Sequence, residues 1–154
     1  MEGAANATIE FWLRPDSLRD WNQNLGPGWG RFMMHASANG SLSVAGMPTA
    51  AEHAAGHTPH GPLATHCIVV EGNRLSLYIN GEEAGSITSD KHSGMPNDLG
   101  KLTLGRGDGG GIDGQLAELR IWRTARSAAD IKRCMRGYFA EAGMPETLVL
   151  IIRD

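Results

Sequence analysis

The sequence predicts an all-β chain, an antiparallel β-sandwich with one short helix towards its C-terminal end. Three observations predict it. Short runs of alternating, β-favouring residues recur along the chain. Tight-turn signals (Asn39-Gly40, Glu71-Gly72-Asn73 and Asn80-Gly81) fall between those runs at regular spacing. Gly, at 21 residues, is about twice its average usage of roughly 7% and is spread through turns, as many short strands require.

The first run, residues 8–13 (TIEFWL), alternates and then meets Arg14-Pro15-Asp16, where proline removes a ladder donor and aspartate favours a turn. A loop to about residue 30 follows, holding Trp21, Trp29 and the stretch NLGPGWG. Residues 31–37 and 41–45 form a hairpin around Asn39-Gly40, and residues 46–62, rich in Gly, Pro, Ala and His without apolar period, read as a long loop. Residues 63–70, 74–79 and 83–88 make an antiparallel meander. Two further strands, 101–104 and 115–123, flank the loop GRGDGGGID. Ser127-Ala128-Ala129-Asp130 has the form of a capping box and predicts a helix over 128–136, stopped at Gly137, with Ile131 and Met135 on one apolar face. The chain ends in TLVLII, residues 147–152. That run lacks alternation, as a central strand buried on both faces does, and is an odd thing to find at a terminus.

At 154 residues the chain reads as one domain, 1–154, long enough to bury about 70% of its unfolded surface without a disulfide or metal. Lys and Arg total 14 against 17 Asp and Glu, interspersed, for a net charge of -3, which leaves no basic stripe for nucleic acid. No apolar run is long enough to cross a bilayer, so no membrane partner is expected. MEGAANATIEFW lacks a basic start before an apolar core. The expectation is a cytoplasmic protein or an excerpt of a secreted multidomain one. Cys67 and Cys134 have no metal-ligand spacing and read as buried, reduced thiols.

With these segments in order, the chain resembles the laminin G-like (pentraxin-like) branch of the concanavalin A-like lectin and glucanase superfamily. The matching pieces are TIEFWLRPDSL, ATHCIVVEGNRLSLYINGEEAGS, LTLGRGDGGGIDG and QLAELRIWRTARSAADIKRCM. Trp12 and Pro15, His66, Tyr78 to Gly81, and Arg120 to Trp122 hold the family's positions. The resemblance implies a jelly roll of two antiparallel sheets, with His66 structural in a core strand. Members usually carry one further strand before TIEFW, lying near the last strand. Here it is missing or shortened, since only residues 1–7 precede. TLVLII is then left with an apolar, unpaired edge, and a homodimer through that edge is expected. Some relatives bind a structural calcium with residues of the opening strand and the Gly-rich region. The shortened start, and Ala117 where relatives often carry an acid beside the position of Glu118, argue against it here. No cofactor is expected.

Glycosidases of this fold hydrolyse glucans with clustered carboxylates, and retaining chemistry needs two about 5 Å apart. Glu10, Glu82, Glu83 and Glu118 do not form the alternating acidic pattern, and adjacent Glu82 and Glu83 point to opposite faces of a strand. No nucleophile triad or phosphate loop is suggested. His53, His57 and His60 would suit a metal only on a helix, and Pro59 with its Gly and Ala neighbours favours solvated loop histidines. Arg106-Gly107-Asp108 spells a tripeptide of some integrin ligands, which the glycine-rich family motif already explains. Asp108 and Asp113 are the best acidic candidates for a loop cation, against the alternative of turn-forming aspartates. Trp21 and Trp29 sit in a polar, Gly-rich loop. An exposed indole there can stack on a sugar ring, and the alternative is a ring folded back onto the core. Trp12 and Trp122 follow the strand pattern and read as core or inter-sheet packing.

The expectation is therefore a non-catalytic binding module for carbohydrate, its ligand held by loop residues Trp21, Trp29, Arg106, Asp108 and Asp113. The alternatives are a protein-interaction or assembly module using the C-terminal edge, and, third, a divergent glycoside hydrolase.

Overall fold

The computed structural model of the chain describes residues 4–19, 22–26, 33–45, 53–57, 63–90, 113–135 and 149–152. Among these, ten strands and one helix run in the order β1 (Asn6–Ser17), β2 (Asn22–Leu25), β3 (Met33–Ala36), β4 (Ser41–Ala45), β5 (His53–His57), β6 (Ala64–Glu71), β7 (Arg74–Ile79), β8 (Glu82–Thr88), β9 (Asp113–Trp122), α1 (Ala128–Cys134) and β10 (Val149–Ile152). They form two antiparallel sheets, one of six strands ordered β10-β9-β1-β6-β7-β8 and one of four ordered β2-β3-β4-β5.

Period-two alternation places the core between them. Ile9, Phe11 and Leu13 of β1, Ile68 and Val70 of β6, and Leu75, Leu77 and Ile79 of β7 face inwards. They meet Leu25, Met34, Ala36 and Val44 from the smaller sheet. The β7–β8 turn is the Asn-Gly hairpin expected. Asn80 and Gly81 both take positive φ, 52° and 76°, the pair of left-handed residues that matches strand twist. Asn80 Oδ1 also accepts from the Thr65 amide at 3.1 Å, and the Asn80 amide returns a bond to the Thr65 carbonyl at 3.0 Å.

The two sheets come closest along one flank, where β5 lies on β7 and β8. A Cβ at Gly56 would sit 2.8 Å from Ala84 Cβ and 3.0 Å from Leu77 Cδ2, and one at Gly85 would drive into the Ala55 carbonyl. Only glycines permit that approach.

Several expectations are corrected. β1 does not end at Leu13. Its pairing with β6 stops at Leu13–Ala64, so Pro15 carries no amide needed on that side, and the strand runs to Ser17 along β9. The loop expected over 14–30 contains β2, and that over 46–62 contains β5, whose strand character comes from its ladder to β4. β10 is not central. It forms the border of the six-stranded sheet, hydrogen-bonded to β9 from Val149–Ala117 to Ile152–Gly114. The expected strand at 101–104 and the helix stop at Gly137 lie outside the described residues.

The helix is as the capping box requires. The Ser127 hydroxyl accepts from the Asp130 amide at 3.2 Å, and α1 lays Ile131 on Cys67 and Val69 of the six-stranded sheet's outer face. Cys67 and Cys134 are free thiols and both are buried. Burial, with the Glu10 carboxylate nearby, pushes the Cys67 thiol well above its usual range.

Candidate functional site

Of the five residues the sequence nominates, Asp113 is described, and Trp21, Trp29, Arg106 and Asp108 lie outside the described residues. Asp113 opens β9, opposite Ser17 at the end of β1, and its Oδ2 accepts from the Ser17 hydroxyl at 2.9 Å. It is half-buried and ties the two strand ends together, so one carboxylate oxygen already has a protein partner. The 101–112 segment leads directly into this point. β2 starts only five residues after Ser17, a reach of at most about 18 Å. Residue 21 immediately precedes β2, whereas the segment with residue 29 joins its far end to β3. The two tryptophans thus attach to opposite ends of a short strand.

A second group of polar side chains, which sequence reasoning missed, lies on the outer face of the six-stranded sheet. Glu10 is 6% exposed, and its Oε1 accepts from Arg120 Nη1 at 3.1 Å, Trp122 Nε1 at 2.9 Å and Arg126 Nη1 at 3.4 Å. Arg120 also bonds Glu118. The Arg126 guanidinium carbon lies 4.3 Å from the Trp122 ring centroid, a cation–π contact. Thr8 completes the arrangement, donating to the Thr124 carbonyl at 2.7 Å and accepting from the Arg126 amide at 3.0 Å. Two carboxylates and two guanidiniums balance, and the connector from β9 to α1 is held onto β1.

A β-bulge makes this possible. Glu10 opposes Arg120 and Trp12 opposes Ala117, so Phe11 alone faces Glu118 and Leu119. Glu118 takes φ 52° there. The extra residue reverses the alternation of β9: Leu116 belongs to the core and Leu119 packs on it, whereas Arg120 and Trp122 face outwards. Trp122 is consequently not inter-sheet packing. Trp12, between the core residues Phe11 and Leu13, also turns outwards. The available signal was Glu10 in an otherwise apolar strand, with RIWRTAR supplying two arginines and an indole.

His66 is core, as expected. It is fully buried and stacks on Phe11, ring centroids 5.6 Å apart and 13° from parallel. Desolvation lowers its pKa to about 4, so it is neutral near pH 7. On β7–β8, Arg74 donates to Glu83 at 2.7 Å and to Ser86 at 3.0 Å, and Tyr78 donates to Glu83 at 3.3 Å. Hydrogen bonding, led by Ser86, holds the Glu83 carboxyl below its ordinary range. The Ser127 hydroxyl does the same for Asp130. Glu82 pairs with Lys132 at 2.6 Å. His57 is exposed at the end of β5, while His60 lies outside the described residues. Among the described residues no group of three or more His, Cys, Asp or Glu is placed to hold a metal.

A family model described as the concanavalin A-like lectin/glucanases superfamily matches residues 2–132. No curated protein sequence matches the chain. Among solved structures, a candidate carbohydrate-binding protein from Bacteroides ovatus superposes with a TM-score of 0.69 at 19% identity, over 84% of this chain and 40% of that one. Domain 4 of the extracellular arabinanase AbnA from Geobacillus stearothermophilus, in complex with arabinotriose, gives 0.64 at 18% identity, over 84% of this chain and 66% of that one. The CBM40 module of Ruminococcus gnavus IT-sialidase, bound to α2,3-sialyllactose, gives 0.66 at 14% identity, over 84% and 81% respectively. The chain spans less than two thirds of the first two. At these identities the likeness is one of fold.

Proposed function

Since the chain belongs to the concanavalin A-like lectin/glucanases superfamily, we propose that it is a non-catalytic module that binds carbohydrate at one end of its sandwich. The observation that carries the reading is the junction of Ser17 with Asp113. It fixes the root of the segment containing Arg106 and Asp108, within a few residues of the root of the segment containing Trp21. An indole for the apolar face of a sugar ring, with a guanidinium and carboxylates for its hydroxyls, is the chemistry that saccharide recognition uses. Trp29, attached at the far end of β2, serves as a separate contact. Fold neighbours that include sugar-bound modules support the ligand class.

The test is a glycan array that includes arabino-oligosaccharides and sialylated glycans, followed by titration calorimetry on any hit. Trp21→Ala and Asp108→Ala should each weaken binding at least tenfold, and Trp29→Ala should do less. An absence of binding across a broad panel would remove the proposal.

A second reading rests on β10. Its sequence, Val-Leu-Ile-Ile, is wholly apolar and borders the larger sheet, an arrangement that invites strand addition. A homodimer formed through that border, seen by light scattering and indifferent to sugars, would favour an assembly module.

A further inference from the structure

We infer that a pocket beneath α1, on the outer face of the six-stranded sheet, binds one water molecule that bridges the Thr65 hydroxyl and the Glu10 carboxylate. Glu10, Thr65 and Cys67 line it from the sheet, Arg120 from β9, and Ile131 and Met135 from α1 and its cap. None of these residues belongs to the rim around Asp113.

Three observations converge. Thr65 is 8% exposed, and among the described residues its Oγ1 is buried with no hydrogen-bond partner. A buried hydroxyl left so is costly, and native structures satisfy nearly all of them. The backbone of Thr65 is fully engaged by Asn80, so its hydroxyl is not needed for strand pairing. The space is also the right size. The pocket measures about 240 Å³ with its mouth, but its enclosed part has room for about one water. Finally, the polar lining suits a neutral occupant. Glu10 and Glu118 balance Arg120 and Arg126, so no net charge draws an ion, while a water finds an acceptor in the carboxylate and a donor-acceptor in the hydroxyl. An apolar ligand would leave Thr65 as it is.

The test uses the full chain and its Thr65→Val and Thr65→Ser variants. A crystal structure should show one water within hydrogen-bond distance of Thr65 Oγ1 and the Glu10 carboxylate, retained in Thr65→Ser and lost in Thr65→Val. Urea titration should show the folded-to-unfolded ratio of Thr65→Val reduced about fivefold or more. A dry pocket in the wild type, with Thr65→Val equal to it or more stable because an uncompensated hydroxyl has gone, would overturn the inference. Should Thr65→Val not fold, the wild-type and Thr65→Ser densities decide alone.

Discussion

Acid should weaken this fold through one imidazole. His66 lies in β6 opposite Phe11, fully buried against its ring, and desolvation lowers its pKa from 6.5 to about 4. As pH falls through 6.5 the unfolded chain takes up a proton that the folded chain resists until about 4. Unfolding is therefore favoured progressively across that window, and stability drops as pH drops. Above the window both states are neutral and the term vanishes, and below it the loss is constant. At 1.36 kcal/mol per unit, the whole shift corresponds to about 3 kcal/mol, of which about 2 kcal/mol is lost by roughly pH 5. Urea unfolding of the wild type and of His66→Gln, each at about pH 7.5 and about pH 5, isolates the effect because the other titrating groups are common to both. The wild-type midpoint should fall by roughly 1 M more than that of the variant for a slope of about 2 kcal/mol per M. NMR titration should find the ring neutral throughout. Equal acid losses in the two proteins, or a His66 ring that titrates near 6.5, would refute the reasoning.

Two other perturbations probe the frame around it. Glu10→Ala leaves the buried Arg120 and Arg126 without their shared carboxylate and should cost roughly 3–5 kcal/mol in urea unfolding, whereas Glu83→Ala, which breaks an exposed pair, should cost about 1 kcal/mol or less. Gly85→Ala forces a methyl into the Ala55 backbone and should destabilise by about 1–3 kcal/mol or more, measured by thermal midpoint; Gly72→Ala, with open space beside it, pays only for its positive φ and should be milder.

The meander was legible because β6, β7 and β8 carry both their alternation and their turns in adjacent residues. β5 was not. His-Ala-Ala-Gly-His has no apolar stripe, since its inward position at Gly56 must be empty to let Leu77, Ile79 and Ala84 approach, and that need is set by strands more than twenty residues away. Trp122 was misplaced for a similar reason. A period-two reading of QLAELRIW puts Leu116, Arg120 and Trp122 on one face, and only the extra residue at Glu118 separates them. For the candidate site, the Gly-rich approach to Asp113 could be read from composition, but the Ser17 bond that anchors it depends on a register between residues 96 positions apart. Glu10 reads from the sequence as one of four carboxylates that form no catalytic pattern, and the arginines that hold it come from beyond β9's bulge.

The close approach of β5 to β8 has a consequence for how copies of this chain can add to one another. Backbone meets backbone at Ala55 and Gly85, so a side chain added at Gly85 would have to push the two sheets apart on that flank. Of the described strands, β10 and β2 border the sheets on the opposite flank. A strand added beside β10 would lie across the sandwich from that contact and leave it undisturbed.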